Sequence, residues 1–289
     1  METMPCMKHA LSTHLISDHR LTTVWLERIW DAGIPLVELF CARQHLDYRN
    51  RAQVSELGHF FRDSELKVHS VHAPIFTDEV WGRSGPHAVL TITEPVKTKR
   101  TAMVDELKRA LELAEVIPFR YWIQHIGTGG EEYSDRGTEA AFTALEELSL
   151  FARQRGVEVL LENIPNGYSS AERLVGFLEE THLNLNFCFD IGHAHMNEGV
   201  AAAFGLMKDR IRSTHLHDNN GEKDEHQRPA IGAGPPMIDW REAMRLLRSR
   251  PDQYPLLLEL REREDRPVSL EEISRIFDAL EALDDPDHD

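Results

Sequence analysis

The sequence predicts one α/β domain over residues 1–289, in which eight parallel strands and their crossover helices form a (β/α)8 barrel, or TIM barrel. Short apolar segments alternate with longer amphipathic segments along the whole chain, which indicates parallel strands joined by helices. Eight such units in 289 residues give about 36 residues each, a length that suits a barrel. An open doubly wound sheet is the alternative, but the glycine-rich phosphate loop that usually follows its first strand is missing.

The predicted strands are short segments rich in β-branched and other apolar residues. They cover residues 9–16, 35–40, 67–71, 121–125, 157–162, 185–190, 211–216 and 255–260. Helical periodicity is clearest in residues 96–116, 138–154, 171–180, 240–248 and 270–283. Ser169 and Glu172 fit a capping box at one helix start, and Gly156 fits a helix stop before the fifth strand. We expect the acidic tail, residues 284–289, to be frayed and solvated.

The charge balance narrows the class of partner. The chain has 49 acidic and 32 basic residues, a formal net charge of -17, and no run of four or more lysine or arginine residues. The electrostatic field of such a negatively charged chain repels nucleic acids and anionic membranes, although bound metal ions can reverse the sign of the local potential. We therefore expect a small-molecule partner, with nucleic acid and membrane unlikely.

Cysteine use and hydropathy point to a reducing cytoplasm. Cys6, Cys41 and Cys188 are scattered, without a CxxC pair or a disulfide framework. Lys8 and Asp18 interrupt the N-terminal segment, so it lacks the apolar core of a signal peptide. No uncharged apolar run approaches the roughly 20 residues that a membrane helix needs.

Strand after strand ends in a residue that can bind a metal. Glu162 follows Val-Glu-Val-Leu-Leu, Asp190 follows Leu-Asn-Phe-Cys-Phe, His215 follows Ser-Thr and Glu259 follows Leu-Leu-Leu. The C-terminal ends of barrel strands share one rim, which carries the active site. One such residue alone is usually a solvated loop residue or a helix cap. Four of them would repel unless a cation neutralised the carboxylates, so we predict a divalent metal site.

Further polar residues surround these four. We expect Glu38 to contact substrate, with a buried ion pair as the alternative, and His217 could replace His215 as the ligand because both face the same side of an extended strand. His69 and His195 are expected to pack or to support the ligands. The candidates for additional metal binding are His72, His125, His193, Asp224 and His226.

Five motifs resemble those of the xylose-isomerase-like TIM-barrel superfamily. That group contains sugar and sugar-phosphate isomerases and epimerases, together with apurinic endonucleases of the endonuclease IV type. The resemblance spans roughly residues 67–262. The motifs are Leu-Glu-Asn (161–163), Phe-Asp-Ile-Gly-His-Ala (189–194), His-Leu-His-Asp (215–218), Asp-Glu-His (224–226) and Ile-Gly-Ala-Gly (231–234).

The resemblance to the epimerase branch implies one divalent ion, typically manganese, cobalt or magnesium, held by Glu162, Asp190, His215 and Glu259. That ion would polarise a sugar carbonyl and stabilise an enediolate. Glu162 and Glu259 would remove and return the proton. His193, with Arg228 or Arg261, would orient substrate hydroxyls.

The resemblance to the endonuclease branch implies three zinc ions and a phosphoesterase. The five additional ligands would then be His72, His125, His193, Asp224 and His226. DNA binding also needs positive loops, whereas the loops here are mainly acidic, and the segment Trp-Gly-Arg (81–83) is the one obvious candidate for an inserted wedge. A non-catalytic metal-binding or sugar-binding barrel is a third, less favoured possibility, because no carboxylate of the set is missing.

The residues do not identify the substrate in detail. The segment Gly-Thr-Gly-Gly (127–130) could let backbone amides approach a phosphate, with a flexible turn as the alternative. Oxygen and imidazole ligands suit manganese, zinc, cobalt or iron, so the ligand types do not select one metal. The resemblance allows dimers and tetramers, so a homo-oligomer is possible. We expect the substrate to be a sugar or a sugar phosphate.

Overall fold

The structure, a computed structural model, describes residues 7–235, 237–262 and 269–283. The acidic tail at 284–289 lies outside the described residues. Eight parallel strands surround a common axis and alternate with helices, so the predicted (β/α)8 barrel is confirmed. The strands are β1 His9–Ser12, β2 Leu36–Phe40, β3 Lys67–His72, β4 Tyr121–Gln124, β5 Glu158–Glu162, β6 Asn186–Asp190, β7 Ile211–His215 and β8 Leu256–Leu258.

Helices connect successive strands and cover the outside of the sheet. Their spans are α1 Thr23–Asp31, α2 Arg51–Asp63, α3 Lys97–Leu111, α4 Asp135–Arg153, α5 Ala171–Glu180, α6 Ile191–Met196, α7 Val200–Met207, α8 Trp240–Arg248 and α9 Leu270–Glu281. No helix in the described ranges is long and apolar enough to cross a membrane.

Two local predictions were wrong in detail. The first predicted strand, 9–16, ends at Ser12, and Thr13–Ile16 forms a 3-10 turn. The Ser12 side chain accepts a hydrogen bond from the His14 amide, which caps this turn and ends the strand. The cap of α5 is Ser170 rather than Ser169, since Ser170 Oγ accepts from the Arg173 amide.

The sheet order runs from β7 through β6, β5, β4, β3, β2 and β1 to β8. A parallel bridge between Leu216 and Leu258 brings β7 against β8, with the Leu216 amide 2.8 Å from the Leu257 carbonyl. This contact closes the ring. Every strand therefore directs its C-terminal end to one rim.

Most of the core lies between the sheet and the helices. Trp122, for example, is fully buried in this layer. A smaller apolar cluster of Tyr121, Ile123, Leu160 and Cys188 fills part of the barrel interior. The packed layer below the rim fixes the backbone from which the polar side chains project.

Candidate metal centre

The rim brings together the four residues proposed as primary ligands. Glu162, Asp190 and His215 end β5, β6 and β7, and Glu259 follows β8. One ligand atom from each lies within 4.8 Å of the others, and we call this group the central cluster. His215 Nδ1 is 2.9 Å from Glu162 Oε1 and 3.2 Å from Glu259 Oε2. Three buried carboxylates at one point repel each other unless a cation joins them.

A second group, which we call the β3–β5 cluster, contains His72, His125 and Glu162. The two carboxylate oxygens of Glu162 divide between the groups. Oε1 faces His215, whereas Oε2 lies 2.9 Å from His125 Nε2 and 3.4 Å from His72 Nε2. A carboxylate placed in this way can bridge two ions.

A third group, the loop cluster, contains His193, His217, Asp224 and His226. Asp224 Oδ2 lies 3.2 Å from His193 Nε2, and Oδ1 lies 3.2 Å from His226 Nε2. His217 Nε2 is 3.1 Å from the Asp190 carboxylate, which connects this group to the central cluster. The ring of His217 packs directly on Gly192, where any Cβ would collide with it.

Four of these histidines use one ring nitrogen for a hydrogen bond to an acceptor other than the ligand carboxylates. That nitrogen donates to a fixed acceptor, so the other nitrogen presents its lone pair to the cluster, as metal-binding histidines commonly do. The donations are His72 Nδ1 to the Ala73 carbonyl (2.9 Å), His193 Nδ1 to the Asn163 carbonyl (2.9 Å), His226 Nδ1 to the Glu259 carbonyl (3.0 Å) and His215 Nε2 to Glu38 Oε2 (3.1 Å). The donor set therefore fits divalent metal ions.

The electrostatic environment also favours cations. Burial lowers the pKa of His193, but Asp190, Asp224 and Glu162 outweigh it and raise that pKa to about 10. Burial likewise opposes protonation of His226, yet Asp224 and Glu259 raise its pKa to about 9. Because the carboxylates dominate, the site attracts positive charge.

Asp218 fixes the loop that carries Asp224 and His226. Its buried carboxylate accepts hydrogen bonds from the amides of Ala230 (2.8 Å) and Ile238 (3.2 Å) and from the Trp240 indole (2.7 Å). The loop cluster therefore depends on a carboxylate that does not belong to it.

We expect Asp218→Ala to lower the free energy of unfolding by about 3 kcal/mol, because it leaves buried donors without acceptors. On the hypothesis that the loop cluster binds zinc, its zinc affinity should fall at least tenfold. Denaturant unfolding and zinc titration against a chromophoric chelator measure the two effects. Asp239→Ala is the control: it removes the cap of α8 and should cost about 1 kcal/mol with unchanged zinc affinity. Full zinc affinity in Asp218→Ala would contradict the role of Asp218.

Glu38 lies beneath the central cluster, and its contacts favour the ion-pair alternative over substrate binding. It is fully buried, and its carboxylate accepts from Ser12 Oγ (3.0 Å), Ser70 Oγ (2.7 Å) and His215 Nε2 (3.1 Å). These partners fix the orientation of the His215 ring. His69 also lies within the barrel, with Nε2 3.2 Å from Ser213 Oγ.

The two candidate arginines lie in different places. Arg228 forms an ion pair with Glu272 in the first turn of α9, so its guanidinium is engaged by that carboxylate. Arg261 stacks on Trp81, with Cζ 5.6 Å from the ring centroid, near the central cluster. Of the two, Arg261 is the better placed to meet a substrate.

A cavity of about 400 Å³ opens beside the clusters. One wall contains His72, His125, His193 and Asp224, and the remainder is largely apolar. Its volume lies in the range of small-molecule sites. Its described lining contains no lysine or arginine.

The segment 127–130 lines this cavity, but two of its amides are engaged within the protein. The Thr128 amide donates to Glu131 Oε2 (2.9 Å), and the Gly130 amide donates to the Pro165 carbonyl (2.9 Å). Gly127 has a φ of 79°, as a turn requires. The geometry favours the turn over a phosphate site, because a carboxylate occupies the place that the anion would take.

Sequence reasoning missed His14. It is 4% exposed and lies on the 3-10 turn after β1, within 4.8 Å of ligand atoms of His226 and Glu259. The apolar neighbours Leu15 and Ile16 made residues 9–16 resemble one continuous strand. The only available signal was its position close to the end of the first strand.

The fold agrees with what comparison with known proteins shows. A family model described as xylose isomerase-like TIM barrel matches residues 26–283, so the chain belongs to this family.

Three curated proteins are similar to this chain in sequence. From Methanocaldococcus jannaschii, the uncharacterized protein MJ1311 is 28% identical over 79% of this chain and 75% of its own length. MJ1614 from the same organism is 28% identical, over 47% of this chain and 53% of its own length, so the match spans about half of that relative. A probable endonuclease 4 of Natronomonas pharaonis is 26% identical over 50% of this chain and 58% of its own length.

Solved structures agree on the fold. A D-tagatose 3-epimerase-like protein has a TM-score of 0.73 and 23% identity, covering 96% of this chain and 98% of its own. An L-ribulose 3-epimerase has a TM-score of 0.73 and 18% identity, covering 96% and 94% of the respective chains. The IolI protein with a bound zinc atom has a TM-score of 0.72 and 16% identity, covering 95% and 96%.

Proposed function

We propose that the protein is a divalent-metal-dependent isomerase or epimerase of a sugar or sugar phosphate. The observation that carries this proposal is the central cluster: three carboxylates and one imidazole, all buried, at the rim beside a cavity of about 400 Å³. The epimerase structures that share the fold support it.

Glu162, Asp190, His215 and Glu259 would hold the ion. When bound, it supplies Lewis acidity that polarises a substrate carbonyl and acidifies the adjacent C–H bond. Glu162 and Glu259 approach from non-adjacent strands, so one can take the proton from the α-carbon while the C–H electrons move to the carbonyl oxygen. The other returns a proton to the opposite face, which inverts the carbon, or to the neighbouring carbon, which isomerises the sugar.

The cavity favours an uncharged sugar over a phosphorylated one. Its apolar wall contains Pro74, Ile75, Leu90, Ile164 and Met196, and the described lining offers no cationic side chain. A phosphate distant from the metal would lose its water without gaining a charged partner.

The first experiment measures metal content in protein purified without chelator or added metal. We expect about one manganese, cobalt or magnesium ion per chain. Incubation of that protein in D2O with D-tagatose, D-fructose, L-ribulose and D-xylulose should then show α-deuterium incorporation by NMR. Absence of exchange with every ketose and ketose phosphate in the fully loaded protein would contradict the proposal.

A second candidate function, a trinuclear zinc phosphoesterase, is favoured by one specific observation. Three ligand clusters adjoin, and Glu162 divides its oxygens between two of them in the manner of a bridging ligand. Three zinc ions would activate water and neutralise a phosphate. The probable endonuclease 4 relative supports the same alternative.

DNA is an unfavourable substrate for this alternative. Glu79, Glu132, Glu222 and Glu225 are exposed on loops at the rim and would repel the phosphate backbone. Trp81 packs inward against Phe40 and Phe76 instead of projecting as a wedge. About three zinc ions per chain, with hydrolysis of bis-p-nitrophenyl phosphate, would support a phosphoesterase; cleavage of abasic DNA would extend it to repair.

A further inference from the structure

A pair of buried polar groups next to Glu259 has no role in the proposed chemistry so far. His14 is 4% exposed, and neither of its ring nitrogens has a hydrogen-bond partner among the described residues. The indole nitrogen of Trp81 is also buried and lacks such a partner within the described ranges. The two rings meet edge to face, with centroids 5.6 Å apart. Unpaired buried donors and acceptors are costly, so two neighbouring ones indicate a ligand.

The surroundings hold both rings in place. His14 packs on Phe40, with centroids 4.5 Å apart, and meets the edge of His226 at 4.9 Å. Trp81 lies between Phe40 and the guanidinium of Arg261. Residues from three different parts of the barrel therefore fix the pair before any ligand arrives, which lowers the entropic cost of binding.

The position of the pair relates it to the central cluster. His14 Nδ1 lies 3.8 Å from Glu259 Oε1. A group bound between His14 and Trp81 would therefore lie beside the carboxylate that we assign as one of the two bases. The charges of His72, at the end of β3, and of Asp224 and Arg261 also act on His14.

The hydrogen-bonding capacity of the pair selects the kind of ligand. A neutral imidazole offers one donor and one acceptor, and the indole offers one donor. A hydroxyl both donates and accepts, and so matches the pair. A phosphate only accepts, and it would meet Glu259.

We propose that His14 and Trp81 form a hydroxyl-binding subsite that positions the substrate against Glu259. The proposal rests on the isomerase or epimerase function above and adds to it how the substrate is oriented. A free hydroxyl next to the reacting carbon would donate to His14 and accept from Trp81 Nε1. Both residues act by positioning, and neither exchanges a proton with carbon.

Two substitutions test the subsite in the magnesium-loaded enzyme, with the ketose of the panel above that exchanges fastest. Trp81→Phe keeps an aromatic ring but removes the N–H together with the five-membered ring, and we expect KM to rise about fivefold to tenfold. His14→Ala should raise KM about tenfold, and His14→Gln, which retains a donor and an acceptor, should restore most of the loss. Metal content should not change in any of these variants. Trp30→Phe and His182→Ala, both at exposed positions, are the matched controls.

NMR supplies a readout that a merely structural role would not move. Trp81→Phe assigns the indole N–H resonance, and titration with the same ketose should shift that resonance downfield in the native protein. Unchanged KM in both Trp81→Phe and His14→Ala, or a shift caused by inorganic phosphate and not by the ketose, would overturn the subsite while leaving the isomerase proposal intact. If no ketose binds or exchanges, both proposals are contradicted.

Discussion

Replacement of Glu162 by Gln is expected to abolish exchange of the substrate α-proton with solvent while a metal ion stays bound. A glutamine retains one carbonyl oxygen for the ion, but it cannot accept the proton. The loss should be on the order of a thousandfold, as for removal of a general base. Deuterium incorporation by NMR measures the exchange, and elemental analysis measures the metal.

Glu158→Gln is the matched control for this substitution. Glu158 lies at the opposite end of the same strand, where its side chain contacts Asn186. The N-terminal ends of barrel strands contribute to stability rather than to catalysis. Exchange should therefore continue at close to the native rate. Retention of exchange in Glu162→Gln would remove Glu162 from the role of base and leave Glu259 as the candidate.

Removal of metal by a chelator should lower Tm by about 10 °C. In the central cluster, Glu162 is 1% exposed, Asp190 is 0% exposed and Glu259 is 2% exposed, so their mutual repulsion is poorly screened. An ion present at 1,000 times its Kd stabilises the folded state by about 4 kcal/mol. Each kcal/mol corresponds to roughly 2–4 °C in a chain of this size. Differential scanning calorimetry before and after dialysis gives the difference.

Asp190→Asn separates this effect from nonspecific damage by the chelator. The substitution removes one repelling charge and weakens the ion site, so the variant should show a much smaller change in Tm on chelation. Re-addition of manganese or zinc should restore the native Tm fully in the native protein. An unchanged Tm in protein that elemental analysis shows to be free of metal would contradict a structural contribution of the ion.

The barrel could be predicted from the sequence because the residue patterns that produce it lie within short segments of the chain. Apolar strand segments alternate with amphipathic helical ones, and this pattern alone requires parallel strands with crossovers. The β1 prediction erred because capping by Ser12 ends the strand at a point where the following residues, Leu15 and Ile16, are still apolar. Apolar residues indicate that a segment is buried, but they do not show whether it forms a strand or a buried turn.

The sequence by itself determined which strand ends carry ligand-type side chains, because a parallel barrel directs all of those ends to one rim. Only the tertiary structure decided how those side chains divide into three clusters, which oxygen of Glu162 faces each histidine, and that Glu38 holds His215 from below. It also decided that Arg228 pairs with Glu272 and that His14 reaches the site. These outcomes depend on angstrom-scale distances between residues far apart in the chain. The pattern of residues within a short segment does not determine such distances.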